Sequence, residues 1–131
     1  MIHTRNNIRF EAPAGTEDIV QEVFDEDVYR VGTIPRGSVV VDIGAHVGMF
    51  ALRCAVERAC HVYCYEPNPA NLRVLRENVR AYASIHVTEA AVGLVRGLRT
   101  FYATPRTAES SLYHKANGRR VVGLNVAREH R

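Results

Sequence analysis

Val39-Val40-Val41-Asp42-Ile43-Gly44-Ala45-His46-Val47-Gly48-Met49-Phe50 decides the fold. The β-branched run Val39–Val41 predicts a central parallel strand covered on both faces. Asp42 ends the run. Gly44 and Gly48 then allow a tight turn and a close approach of backbone to whatever lies above it. From Met49 the apolar spacing becomes helical. A strand, a glycine turn and a helix N-terminus together make a ligand site at the carboxyl end of a sheet.

Downstream, Met49, Leu52, Arg53 and Val56 with neighbouring alanines predict a helix packed on that sheet. His61-Val62-Tyr63-Cys64-Tyr65 is a second strand, ended by Glu66 and by Pro67-Asn68-Pro69. Two prolines stop a strand and suit the first turn of a helix, expected here from about Pro69 to Tyr82 with Leu72, Leu75, Val79 and Tyr82 inward. Ile85-His86-Val87 is a third strand, closed by Glu89-Ala90-Ala91-Val92-Gly93. The order is βαβαβ, with connections that suit parallel crossovers. Beyond Gly93, Leu98–Ala103 and Arg120–Val126 predict antiparallel strands joined by the polar stretch Thr104–Gly118.

Upstream, Ile8-Arg9-Phe10 alternates as a short strand does, and Ala12–Gly15 is a turn. Thr16 is the expected N-cap of a short helix with Glu17 and Asp18 in its first turn and Ile19, Val20, Val23 and Phe24 on one face. Asp25-Glu26-Asp27 then reads as a solvated helix end, and Pro35–Ser38 as the turn into the central strand. The chain divides into a lead-in helical region (1–38), a βαβαβ core (39–93) and a β-hairpin extension (94–131), all within one domain.

Composition sets the outer bounds. The 131 residues are 47% hydrophobic and 24% charged, an ordinary globular balance for one domain. The formal charge of +3 comes from scattered arginines, which argues against a nucleic-acid patch. No apolar run reaches a membrane span, and the N-terminus has no signal-peptide core, so a cytoplasmic location is expected. Cys54, Cys60 and Cys64 are an odd number of thiols in such a chain and read as buried free cysteines. Cys60 and Cys64 fall on a helix end and a strand with no second ligand pair nearby, so no metal is expected.

The turn is Asp-x-Gly-x-x-x-Gly over residues 42–48. It is neither a dinucleotide fingerprint nor a phosphate loop with Gly-Lys-Ser/Thr. An acid at the next strand end, Glu66, can accept hydrogen bonds from ribose hydroxyls; capping of the following helix is its structural alternative. The 39–48 stretch, followed by Tyr65-Glu66-Pro67-Asn68-Pro69 and Asn71-Leu72-x-x-Leu75-x-x-Asn78, strongly resembles the FkbM family of S-adenosylmethionine-dependent methyltransferases. Phe24–Arg30 and Ala90–Gly93 resemble the same family's flanking segments.

The resemblance implies an α/β, Rossmann-like class I methyltransferase sheet with S-adenosyl-L-methionine as cofactor. Asp42, Gly44, Ala45, His46 and Gly48 would line its methionine and ribose side. Glu66 would take the ribose hydroxyls, with Pro67 and Asn68 beside the adenine and Glu89 and Ala90 at the adenine edge. His46 reads as a packing histidine, and no catalytic residue is assigned. The family's fourth strand carries an acidic Lys-x-Asp-x-Glu-Gly signature that is not found here. The expectation is therefore a C-terminally incomplete domain. Val39–Ile43 would then be an apolar edge, expected to be covered by Arg120–Val126, by Ile8–Phe10 or by a second copy in a homodimer.

The reading this favours is O-methylation of a hydroxyl on a small molecule or sugar, with a small-molecule or glycan acceptor as partner. A non-catalytic S-adenosylmethionine-binding or interaction module is the alternative. A dinucleotide oxidoreductase is disfavoured by the missing third glycine.

Overall fold

The computed structural model describes residues 1–93, 96–103 and 119–128. The polar connection expected over Thr104–Gly118 lies outside them. Strands β1 (Ile2–Arg5) and β2 (Ile8–Glu11) form an antiparallel hairpin. Helix α1 (Glu17–Val20) continues as a π turn over Gln21–Asp25, and a single 3-10 turn follows at Val31–Thr33. Next come β3 (Val39–Ile43), α2 (Met49–Arg58), β4 (His61–Tyr65), α3 (Pro69–Val79) and β5 (Ile85–Thr88). The chain continues with β6 (Ala91–Gly93), β7 (Gly97–Ala103) and β8 (Arg119–Arg128).

The βαβαβ core folds as its sequence pattern requires. Strands β3, β4 and β5 form a parallel sheet in that order, with Val39 opposite His61 and Val62 opposite Ile85. Their alternation sends Val62 and Cys64 into the core formed with Leu52, Leu72 and Leu75 of the two helices. Helix α3 starts as expected, with Pro69 in its first turn and the Asn68 side chain accepting from Ala70 N at 3.0 Å. It ends at Val79, three residues earlier than the apolar pattern suggested. Asn78 explains the last polar position of that pattern. Its amide donates to Glu11 O and Val47 O, and accepts from Glu11 N, each at 2.8 Å. It thereby ties the N-terminal hairpin to the glycine turn.

Several expectations are corrected. β3 is not covered on both faces: it is the edge of its sheet, and Val39, Val41 and Ile43 are 68%, 56% and 53% exposed. Both helices that follow β3 and β4 contribute to the one core on the opposite face, where Val40 is packed. Neither proposed segment of this chain covers the edge. β2 pairs with β1, and β8 is sandwiched between β6 (parallel) and β7 (antiparallel). The C-terminal hairpin is therefore real, but Ala91–Gly93 joins it as a strand and makes it a second sheet. Thr16 does not cap α1; its hydroxyl turns back to donate to Pro13 O at 2.6 Å. Cys54, Cys60 and Cys64 are buried free thiols, and burial pushes the Cys54 thiol up to about 12. Among the described residues, no helix is long and apolar enough to cross a membrane.

Candidate functional site

The site forms where β3 and β4 end. The chain leaves Ile43 and folds over the end of β4, with Gly44 N and Ala45 N both donating to Tyr65 O at 2.8 and 3.1 Å. Gly44 (φ +77°), His46 (φ +55°) and Gly48 (φ +88°) make the turn left-handed at alternate positions. The two glycines serve different ends. A Cβ on Gly44 would meet nothing within 4 Å, so its openness faces free space. A Cβ on Gly48 would lie 2.6 Å from Leu75 Cδ1, so that glycine lets α2 and α3 pack closely.

A cavity of about 550 Å³ opens above the turn. Of the residues singled out from sequence, Asp42, Gly44, Ala45, His46, Glu66 and Pro67 line it. Gly48 and Asn68 support it from below without lining it. Glu89 and Ala90 do not reach it: Glu89 pairs at the surface with Arg76 at 3.4 Å, and Ala90 is buried in the core.

The Glu66 carboxylate is 5% exposed. Its Oε2 accepts from His46 N and its Oε1 from Asn68 N, each at 2.8 Å, and the Asn71 side chain adds a further hydrogen bond. Glu66 does not itself cap α3, whose N-cap is Asn68; it joins the glycine turn to that cap residue. Its wall of the cavity remains acidic, because a carboxylate offers more lone pairs than three donors use. Asp42 is different. Its Oδ2 is buried and, among the described residues, has no hydrogen-bond partner. Burial, with the Glu66 charge nearby, pushes its carboxyl up to about 6. Burial also lowers the His46 pKa, holding its imidazole neutral near pH 7.

Among the described residues the lining holds three carboxylates, Glu22, Asp42 and Glu66, and neither lysine nor arginine. Much of the remaining wall is apolar or aromatic, from Ile19, Val23, Tyr29, Val41, Ile43, Met49 and Phe50, with His46 and Asn71 as further polar members. Sequence reasoning missed Glu22, Tyr29 and Phe50. Tyr29 belongs to a stretch flagged only by resemblance, and nothing local says that α1 and its following loop fold over the strand ends. Among the described residues, no group of three or more His, Cys, Asp or Glu side chains is arranged to hold a metal.

No family model matches the chain. It is 36% identical over 117 residues to the 31-O-demethyl-FK506 methyltransferase FkbM of Streptomyces tacrolimicus, a match covering 82% of this chain and 45% of that protein. The chain thus spans a little under half the length of that curated relative. Its fold matches that of TYW2 from Pyrococcus horikoshii, solved in complex with MeSAdo, with a TM-score of 0.52 at 20% identity over 70% of this chain and 36% of that one. The precorrin-6y C5,15-methyltransferase of Geobacter metallireducens matches with a TM-score of 0.50 at 20% identity, over 62% of this chain and 44% of that one. Its Asp42-to-Gly48 turn, its Glu66-Pro67-Asn68-Pro69 strand end and the Rossmann-like parallel sheet beneath both lie in a chain that is similar, over 82% of its length, to an FkbM methyltransferase.

Proposed function

We propose that the cavity binds S-adenosyl-L-methionine and that the chain serves methylation of a hydroxyl on a small molecule or glycan. The observation that carries this reading is the charge of the lining: among the described residues it holds three carboxylates and no lysine or arginine, in a chain whose net charge is +3. A site so lined repels the phosphates of a dinucleotide or nucleoside triphosphate and favours a cation. The residues present fit the cofactor. The unpartnered Asp42 Oδ2 suits an ammonium, the remaining lone pairs of Glu66 suit ribose hydroxyls, and the open space above Gly44 leaves room for backbone contact. Gly48 and Asn68 do not line the cavity and serve it by support rather than contact, and Glu89 and Ala90 are given no part in binding.

Bound there, the cofactor supplies an electrophilic methyl carbon on a sulfonium. The chain's own contribution is to bind and orient it, and catalysis of such a displacement rests mainly on positioning. The hydroxyl acceptor is supported by the name of the relative, which acts on a 31-O-demethyl compound. Binding without transfer is the second reading. It is favoured by the exposed β3 face, where Val41 and Ile43 form one side of the cavity.

Calorimetric titration with S-adenosylmethionine, S-adenosylhomocysteine, NAD and ATP tests the binding reading. The two adenosyl ligands are expected to bind and the phosphorylated ones not; tight NAD or ATP binding sinks it. A methyl-transfer assay on hydroxyl acceptors then separates an enzyme from a binding module.

A further inference from the structure

We propose that Tyr29 is a specificity residue of this cavity, selecting a cationic ligand over its neutral counterpart, and that Asp27 and Arg53 position it. The proposal rests on the S-adenosylmethionine reading above. It begins with a backbone anomaly. Asp27 (φ +48°) and Arg30 (φ +51°) are both left-handed without being glycine, and they bracket Tyr29. Such conformations persist only where the surroundings hold them, and they gather at ligand sites.

What holds them is a buried cation. Arg53, 6% exposed, donates from Nη1 to Asp27 Oδ1 at 2.6 Å and to Val23 O at 2.7 Å, and from Nε to Glu57 Oε2 at 2.6 Å. Its guanidinium carbon lies 5.8 Å from the centroid of the Phe24 ring. Asp27 Oδ1 also accepts from Val31 N at 3.1 Å, which closes the loop from its far end. Asp27 is therefore not the solvated helix end that its acidic neighbours suggested. A buried guanidinium is costly unless its donors are matched, and here they are spent fastening one loop to α2.

That loop delivers a single aromatic ring to the cavity. Tyr29 remains 55% exposed, yet its ring centroid lies 4.9 Å from that of Phe50, with the planes tilted by 47°. Phe50 lies three residues before Arg53 on α2, so ring and clamp share one rigid support. Both rings line the cavity alongside Glu22 and Asp42. Aromatic faces are electron-rich and attract a cation, more so where, as among the described residues of this lining, no competing arginine or lysine stands. S-adenosylmethionine and S-adenosylhomocysteine differ by one methyl and one positive charge, so an aromatic wall distinguishes them where simple hydrophobic cover would not.

The test is calorimetry on the full chain at pH 8 with both ligands, comparing Tyr29→Phe, Tyr29→Leu, Asp27→Ala and the Asp27→Ala/Tyr29→Leu pair. The wild-type chain is expected to prefer S-adenosylmethionine. Tyr29→Leu should cut that preference by roughly 3- to 10-fold, while Tyr29→Phe retains it. Asp27→Ala should cut it similarly, and the double variant should lose no more than either alone. A preference unchanged in Tyr29→Leu, or equal weakening of both ligands, overturns the proposal while leaving the cofactor reading intact. Should the wild-type chain bind neither ligand, the cofactor reading itself fails. The Tyr29 variants alter an exposed side chain, so they decide the matter even if Asp27→Ala does not fold.

Discussion

Two strand ends meet at the cavity, and each brings a carboxylate in a different condition. Glu66, after β4, is well partnered: two backbone N–H groups and the Asn71 side chain bond to it. Asp42, in β3, has a buried oxygen with no partner among the described residues. Glu66 therefore acts as a joint between the glycine turn and α3, whereas the unpartnered oxygen of Asp42 costs the empty protein stability. Two acids that look equivalent in sequence thus sit in different hydrogen-bonding conditions. Substitutions at the two positions should have opposite signs.

Glu66→Ala carries the largest expected effect. It leaves the buried N–H groups of His46 and Asn68 without an acceptor, which should cost about 2–5 kcal/mol. A urea midpoint shift reads this directly. Near-wild-type stability would mean that the joint is dispensable, and the contrast with Asp42 would collapse.

The pH dependence comes next. The folded-state carboxyl of Asp42 titrates near 6 against a reference of 3.8. Between those values the folded chain holds a proton that the unfolded chain has released. The stability contributed by this group is therefore full at acid pH and is lost as pH rises through about 6, a swing of about 3 kcal/mol. Binding of a cation runs the other way, because it needs the carboxylate: affinity should fall as pH drops through about 6. Opposed slopes in thermal melts and in calorimetric affinity are the signature. Parallel slopes would show that Asp42 does not face the ligand.

Asp42→Asn should accordingly stabilise the empty chain by about 1–3 kcal/mol at pH 8, by removing a desolvated charge, while weakening S-adenosylmethionine binding. Lost stability in this variant would reveal a structural partner for Asp42.

The sequence made the βαβαβ core legible because its signals are local. Val39–Ile43, the Gly44 turn and Pro69 at the start of α3 each announce themselves within a few residues. What stayed hidden depends on distant neighbours. A β-branched run reads alike at the centre of a sheet and at its edge, so Val39, Val41 and Ile43 were expected under cover. The pairing of β8 with β6 and β7 rather than β3 is likewise set by distant register, not by any property of Arg120–Val126. Arg53 did carry a signal. An arginine between Leu52 and Cys54, both fully buried, needs a buried partner, and Asp27 was available in the acidic trio. Reading that trio as a solvated end hid the clamp.

The smallest expected effect tests the turn that joins the two strand ends. Both glycines were read from sequence as ligand-facing, but only Gly44 fronts open space. Gly44→Ala should cost about 1 kcal/mol of stability, the strain of placing a Cβ at φ +77°. Its larger consequence should be in binding, because the new methyl projects where a ligand would approach the backbone. Gly48→Ala reverses the balance: its Cβ meets Leu75 Cδ1 at 2.6 Å, so stability should fall well beyond that of Gly44→Ala. Urea melts and calorimetric affinities on the two variants place each glycine on one side of the division that Asp42 and Glu66 define. If Gly44→Ala leaves affinity untouched, the ligand does not approach the turn, and the acids of the cavity hold it from their own strand ends alone.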